Sequence, residues 1–355
     1  MARGRDVRPV PHGGARAGWL DLSANPNPLG IPSAVRAAIG AVRYDRYADL
    51  DARAAERHLA ADSGVERAAV LLTAGATEAL RLVATALLGP DGRAVIIGPT
   101  YGEYARLVAL AGAAVEEIRA VPPSFDPPLE ALLRALDGPA RAVVVGDPNN
   151  PTGRALGSAG YRRLLDALRA GGRRSALLVI DESFAPFAAE GPPDAELLAT
   201  GRVLLVRSLT KRLAVPGVRV GYVVGPPRIL ARLGAARDPW AVGAHAIAAA
   251  GAASWRLAPD ERVRIADWRR ALAEGLNVRG LCPTPSDANF ILAEVGPVAR
   301  ELVARLARRR IAVRDATSFG LPGYLRVAVR PPGEQERLFA ALDAFRAARE
   351  AGPQP

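Results

Sequence analysis

The chain has 355 residues, 50% of them hydrophobic, with 35 glycines, 30 prolines and a formal net charge of +11. That length exceeds what one simple core accommodates, so two domains are the default, and a mean hydropathy of +0.08 fits a soluble globular protein. The single cysteine, Cys282, excludes an intramolecular disulfide framework and points to a reducing cytoplasm, while His12, His58 and His245 are too scattered for a zinc site, so no metal is expected.

The start, Met1-Ala2-Arg3-Gly4-Arg5-Asp6, is basic, but no apolar stretch follows it, so it does not read as a signal peptide. Residues 1–32 read as an arm: His12-Gly13-Gly14 precedes Leu20-Asp21-Leu22-Ser23-Ala24-Asn25-Pro26-Asn27-Pro28-Leu29-Gly30. Proline and asparagine at that density argue against regular structure. Ser33 is placed to cap a helix, and 44–49 forms a loop before a helix ending near Ser63-Gly64. From Val70 onward short β-branched runs alternate with helical segments. Strands are expected at 70–72, 94–97, 115–118, 142–145, 177–180, 203–206 and 218–224, and helices at 78–88, 101–111 and 161–169. Most of the strands are continuous apolar runs, as in strands buried on both faces. The alternation predicts an α/β fold with a large, mostly parallel sheet covered by helices. After Pro239 the chain turns helical through 268–276, then alternates again at 289–293 and 324–329. The expected organisation is an arm (1–32), a large α/β domain (33–235) and a smaller C-terminal α+β domain (236–355). The longest weakly polar run, 240–254, is too short to span a bilayer, so no membrane partner is expected.

The net charge raises nucleic-acid binding as an alternative class of function. The arginines, however, are spread at helical spacings, and the densest run, Arg308-Arg309-Arg310, ends an amphipathic helix, where cations complement the dipole. No helix-turn-helix, zinc-finger or aromatic-basic motif is present, so a nucleic-acid partner is not expected. The same charge suits anionic, phosphorylated small molecules.

Of the 47 basic side chains only Lys211 is a lysine. Arginine stays protonated at physiological pH, whereas an ammonium can lose its proton and act as a nucleophilic amine. Arg207, Arg212 and Arg219 are near in sequence, and neighbouring cations lower a lysine pKa. A Schiff base with an aldehyde cofactor is the leading use of such an amine. Three further stretches follow predicted strands, where an α/β sheet builds its ligand site. In Thr73-Ala74-Gly75-Ala76-Thr77-Glu78 the exposed N–H groups and the Thr77 hydroxyl, opening a helix, would cradle a phosphate. Asp147-Pro148-Asn149-Asn150-Pro151-Thr152-Gly153 fixes two asparagines between prolines. Asp181-Glu182-Ser183 offers a carboxylate that could keep a pyridine nitrogen protonated. Ser208 and Arg219 could complete the phosphate cup, and Tyr101 could stack on a cofactor ring.

In this order and spacing the segments resemble the fold-type I pyridoxal-phosphate enzymes, specifically the class I/II aminotransferase superfamily, along nearly the whole chain from Asn25. The resemblance implies pyridoxal 5′-phosphate as cofactor, with Lys211 as the lysine that carries it, Asp181 on its ring nitrogen and Asn150 on its ring oxygen. Gly75, Ala76, Thr77, Ser208 and Arg219 would hold its phosphate and Tyr101 would cover the ring. Arg326 matches the position that clamps a substrate carboxylate. Tyr47 matches a tyrosine that reaches the partner subunit's cofactor, which implies a homodimer. Within the superfamily the chain looks closer to the threonine-phosphate decarboxylases of cobalamin synthesis than to the histidinol-phosphate aminotransferases. The likeness lies in His12-Gly13-Gly14, the LDLSANPNPLG run, Asp238-Pro239-Trp240 and Phe184. By that resemblance His12 and Arg314 would bind a substrate phosphate. Phe184 stands where many aminotransferases place a tyrosine, and Gly243 where both relatives usually carry asparagine.

Overall fold

The computed structural model describes residues 9–136, 140–170, 176–188 and 194–351. A two-residue strand β1 (Leu20–Asp21) precedes the large sheet, which is built from β2 (Val70–Thr73), β3 (Arg93–Gly98), β4 (Ala114–Arg119), β5 (Ala142–Gly146), β6 (Leu177–Asp181), β7 (Val203–Arg207) and β8 (Gly221–Val224). Their spatial order is β2-β8-β7-β6-β5-β3-β4, all neighbours parallel except β8, which runs antiparallel to β2 and β7. Side chains alternate across this sheet. Val143, Val145, Leu178, Ile180, Val203 and Leu205 pack on one face, and Ala142, Val144, Val179, Leu204 and Val206 on the other. Both faces of β5, β6 and β7 are covered, which is why these strands read as unbroken apolar runs, whereas the edge strand β4 is largely open.

From β3 the chain steps outward to β4 and then returns to β5 on the other side of β3. The strand order reverses there, and the loops leaving β3 and β5 part to open a crevice at the carboxyl edge of the sheet.

A second core is built around an antiparallel sheet of β9 (Cys282–Pro283), β10 (Phe290–Glu294), β12 (Arg314–Asp315) and β13 (Tyr324–Ala328), in the order β12-β13-β10-β9, with β11 (Ile311–Ala312) outside it. Helices Pro259–Asn277, Ala299–Arg308 and Pro332–Glu350 cover this sheet, burying Ile265, Leu272, Leu302 and Leu338 against Phe290, Ile291, Leu325 and Val327. No helix among the described residues is long and apolar enough to cross a membrane.

Several expectations are corrected. The arm is not free of regular structure: β1 pairs in parallel with β11, and Leu20 and Leu22 are buried in the second core. Pro32, not Ser33, is the N-cap of helix Ser33–Gly40, and no side chain caps it. The expected strand at 218–224 begins only at Gly221, because Arg219 adopts a left-handed φ of 56° that breaks the extended run. The expected helix at 78–88 starts earlier, as Ala76–Val83, and its last stretch, Ala84–Leu88, widens into π-type turns.

Candidate active site

A cleft of about 560 Å³ opens over the carboxyl edge of β5, β6 and β7. Its lining includes Ala76, Thr77, Tyr101, Asn150, Asp181, Phe184, Ser208, Lys211 and Arg219 from the large sheet's loops, Arg314 and Arg326 from the second sheet, and His12 from the arm. Twelve residues that the sequence singles out thus converge from segments far apart in the chain. Three do not line it: Gly75 lies just behind Ala76, Tyr47 is 80% exposed and stacks on Trp240 with ring centroids 4.7 Å apart, and Gly243 is the N-cap of helix Ala244–Gly251 with nothing within 4 Å of its absent Cβ.

Lys211 lies in a short helical turn, Leu209–Arg212, directly after β7. Its carbonyl accepts from Asn27 N at 2.9 Å, and Asn27 Nδ2 donates to Arg212 O at 2.9 Å, so this one asparagine of the arm ties down the lysine turn. Burial, with Arg326 and Arg219 nearby, lowers the Lys211 pKa to about 8, against the opposing pull of Asp181. More of the amine is therefore neutral near physiological pH than in a free lysine.

Asp181 closes β6 and is buried. Its Oδ1 accepts from Ser183 N at 2.9 Å and Ser183 Oγ at 2.5 Å, and its Oδ2 accepts from the Tyr104 hydroxyl at 2.7 Å. Burial pushes this carboxyl upward, while those donors and Lys211 pull it down.

The two asparagines divide their work. Asn149 is spent on structure, donating to Pro99 O and Thr152 Oγ1, both at 2.9 Å, and accepting from Thr100 Oγ1 at 2.6 Å. Asn150 faces the cleft, and its Oδ1 accepts from Arg326 Nη1. At the other end, helix Ala76–Val83 leaves the N–H groups of Ala76 and Thr77 without intrahelical carbonyls. Gly75 is a correction: its N–H is taken by Thr73 O at 2.8 Å, so it offers no free donor. Its contribution is the missing side chain, because with φ 86° a Cβ there would stand 2.8 Å from Arg219 Nη2. Thr77 Oγ1 lies 3.3 Å from the Tyr101 hydroxyl.

Arg314 and Arg326 are directly opposite in the β12–β13 ladder. Arg326 is buried, donates from Nη2 to Ser23 O at 2.6 Å, and leaves its Nε without a partner. Arg314 Nη2 donates to Pro11 O at 2.6 Å and Ser318 Oγ at 2.7 Å. Burial and Arg314 together lower the Arg326 pKa. His12 is half-exposed, with Nε2 3.4 Å from Glu103 Oε1.

Sequence reasoning misses Tyr104, Ser183, Asn25 and Glu103. Tyr104 sits in what reads as an ordinary helix start, and only the position of β6 beside it reveals its partner. Asn25 lines the cleft with a buried, unpartnered Oδ1, whereas in the sequence it is one polar residue in a turn-rich run.

This donor set fits pyridoxal 5′-phosphate. Helix N–H groups, hydroxyls and Arg219 beside a required glycine form an anion cradle. A buried carboxylate suits a protonated ring nitrogen, and a lysine with a depressed pKa suits an aldehyde. The chain matches the family model of aminotransferase class I and II over residues 17–345. Histidinol-phosphate aminotransferase of Symbiobacterium thermophilum is 35% identical over 332 residues, which are 92% of this chain and 90% of that protein. Histidinol-phosphate aminotransferase 2 of Pseudomonas aeruginosa is 33% identical over 338 residues, 92% of this chain and 89% of that one. The structure of histidinol-phosphate aminotransferase from Sinorhizobium meliloti in complex with pyridoxal-5′-phosphate is similar with a TM-score of 0.81 at 25% identity, covering 92% of this chain and 90% of that chain. The chain therefore belongs to the class I and II aminotransferases, enzymes of fold type I, and its cofactor is pyridoxal 5′-phosphate.

Proposed function

We propose that the protein is a transaminase acting on a phosphorylated amine, with histidinol phosphate as the first candidate donor and a dicarboxylic keto acid as acceptor. The observation that carries this reading is the single cleft that brings the buried Lys211, its pKa lowered by burial and by Arg326 and Arg219, together with Asp181 and the Arg314–Arg326 pair. Sequence motifs alone put phosphothreonine decarboxylation first. The names of the relatives favour transamination and reverse that order.

When bound, the cofactor supplies an electron sink for the pair released at the substrate Cα. Lys211 would hold the aldehyde, and its amine would also be placed to move the proton at the substrate Cα. Asp181 would keep a proton on the ring nitrogen, the Asn150 amide would donate to the ring oxygen, and Tyr101 would cover the ring. Ala76, Thr77, Ser208 and Arg219 hold the phosphate, with Gly75 leaving room for Arg219. Arg326, Arg314 and His12 bind the substrate's anionic groups. We assign Tyr47 to the partner subunit's cofactor in a homodimer, and the chain to an arm (1–32), a large (33–235) and a small (236–355) domain.

The cross-strand pairing of Arg314 with Arg326 favours a second reading. Like charges directly opposite are destabilising unless an anion joins them. A single substrate carrying both a carboxylate and a phosphate would satisfy both arginines at once, whereas in the transaminase reading only the dicarboxylic acceptor, and not histidinol phosphate, brings a carboxylate. O-phosphothreonine decarboxylation is that second reading. The test runs both reactions side by side. Glutamate formed from histidinol phosphate and 2-oxoglutarate supports transamination, whereas carbon dioxide from O-phosphothreonine with no keto acid present would replace it with the decarboxylase. In the same preparation borohydride should fix the cofactor on a single peptide, the one containing Lys211, and Lys211→Arg should abolish the visible absorbance of the lysine-bound cofactor.

A further inference from the structure

Asp181 is held by an asymmetric set of donors. Ser183 supplies two hydrogen bonds to Oδ1, from N and Oγ, while the Tyr104 hydroxyl donates to Oδ2 at 2.7 Å. Tyr104 has no freedom to look elsewhere. It is buried on helix Glu103–Leu110, and the Tyr101 ring meets it edge-on at 5.7 Å and 87°. Its hydroxyl passes over Gly146, the last residue of β5, where a Cβ would come within 3.1 Å of the phenol oxygen. Gly146 pairs directly with Asp181 in the sheet register, so the bare backbone at that point lets the phenol reach across β5 to the end of β6.

The charge balance gives this bond a consequence. A carboxylate in so dry a place favours its neutral form, and a hydrogen bond donated to the charged form is one of the few forces that reverse the preference. Lys211 also favours the anion, and the Tyr104 bond adds a hold on it that does not depend on the charge of the lysine. Tyr104 is itself pushed far above the ordinary phenol range by burial and by Asp181, so it remains a donor at every working pH.

We propose that Tyr104 is a positioning residue of the active site: it keeps Asp181 ionised and fixes Oδ2 toward the cleft, so that the carboxylate receives the cofactor's ring nitrogen. The proposal rests on the assignment of Asp181 to that nitrogen. Tyr104 touches neither substrate nor cofactor in this role and acts through Asp181.

Tyr104→Phe removes one oxygen from a packed ring. The test measures the binding of pyridoxal phosphate, and of an analogue in which CH replaces the ring nitrogen, to wild type, Tyr104→Phe and Asp181→Asn. Wild type should favour pyridoxal phosphate over the analogue. Tyr104→Phe should weaken pyridoxal phosphate about tenfold, the value of one hydrogen bond to a charged group, and leave the analogue within about twofold. The acid limb of the binding-versus-pH profile should move up by about one pH unit, because Asp181 then protonates more readily. Should Tyr104→Phe fold poorly, Tyr104→3-fluorotyrosine, with a more acidic hydroxyl, should move the same limb in the opposite direction. Equal losses for both ligands, or an unmoved pH limb, would reduce Tyr104 to packing and overturn the proposal. If Asp181→Asn weakens both ligands equally and keeps the wild-type preference, the assignment of Asp181 to the ring nitrogen falls with it. If Asp181→Asn weakens pyridoxal phosphate selectively and Tyr104→Phe does not, only the role of Tyr104 fails.

Discussion

Asp147, the first residue after β5, carries a buried carboxyl whose two oxygens accept from Leu156 N at 2.8 Å and from the Tyr161 hydroxyl. Burial nevertheless drives its pKa up to about 7, with Glu182 and Asp287 adding to the rise. The sign of the effect on stability follows from proton counting. Between about pH 4 and pH 7 the folded chain holds a proton on Asp147 that the unfolded chain has released, so stability falls as pH rises through that window. Each tenfold change in proton affinity is worth about 1.4 kcal/mol, so this residue alone accounts for a loss of up to about 4 kcal/mol by pH 8. Asp147→Asn keeps an acceptor for Leu156 N and removes the titration. Urea unfolding of the holoenzyme at pH 5 and pH 8 should show a smaller loss of stability with pH in the variant than in wild type. Parallel curves would mean that Asp147 is ionised throughout. The same residue begins the loop that aims Asn150 into the cleft, so its protonation bears on the site as well as on the fold.

At the scale of elements, the ends of β6 and β7 each send consecutive residues in opposite directions. Asp181 and Ser208 face the cofactor cleft, while Glu182 and Arg207 face a second, smaller cavity behind it. Arg207 is 2% exposed, pairs with Glu182 at 2.6 Å, donates to Ser63 Oγ at 3.1 Å, and lies over the rings of Trp255 and Tyr222. It thereby joins two strand ends to the helix Arg53–Ser63. Removing one partner of such a pair leaves the other charge buried, so Arg207→Ala should lose about 3–5 kcal/mol in denaturant unfolding. A loss under about 1 kcal/mol would show that solvent reaches Glu182 freely. The strands themselves were legible because burial on both faces writes a continuous apolar run, and the motifs at their ends were legible because they sit where such runs stop. Other features depended on distant partners. The β1 strand exists only because Ile311 and Ala312 pair with it, and the Asn25–Asn27 segment is ordered by Lys211, Arg212 and Asn289. Arg219 was legible as a charge but not as a left-handed residue, because arginine has no preference for that conformation and the surrounding loop imposes it.

Among the described residues, an aromatic surface is left open by the chain itself. Tyr44 and Tyr47 are each 80% exposed, with Leu50 beside them in sequence, and Trp240 and His245 come from the segment after Pro239. Tyr47 stacks on Trp240, and Tyr44 meets His245 at 5.2 Å with its hydroxyl 3.2 Å from Nε2. Exposed aromatics in a contiguous group are costly to hydrate and mark contact surfaces. Aromatic residues are also enriched where interfaces carry most of their energy. Tyr47 lies outside the cleft of its own chain, so a role at a cofactor requires a second copy. Two substitutions separate the contact surface from the hydroxyl. Trp240→Ala removes the ring on which Tyr47 stacks, and in sedimentation should shift the protein from dimer toward monomer, with cofactor retention falling as the protein is diluted. Tyr47→Phe keeps the stacked ring and should leave the dimer intact, but should weaken cofactor retention by about 1.5–3 kcal/mol, the value of one hydrogen bond to a charged group. A monomer that retains pyridoxal phosphate and full turnover would contradict the shared site. A Tyr47→Phe dimer with unchanged cofactor affinity would restrict Tyr47 to the contact surface, because its hydroxyl would then have no charged partner across the interface.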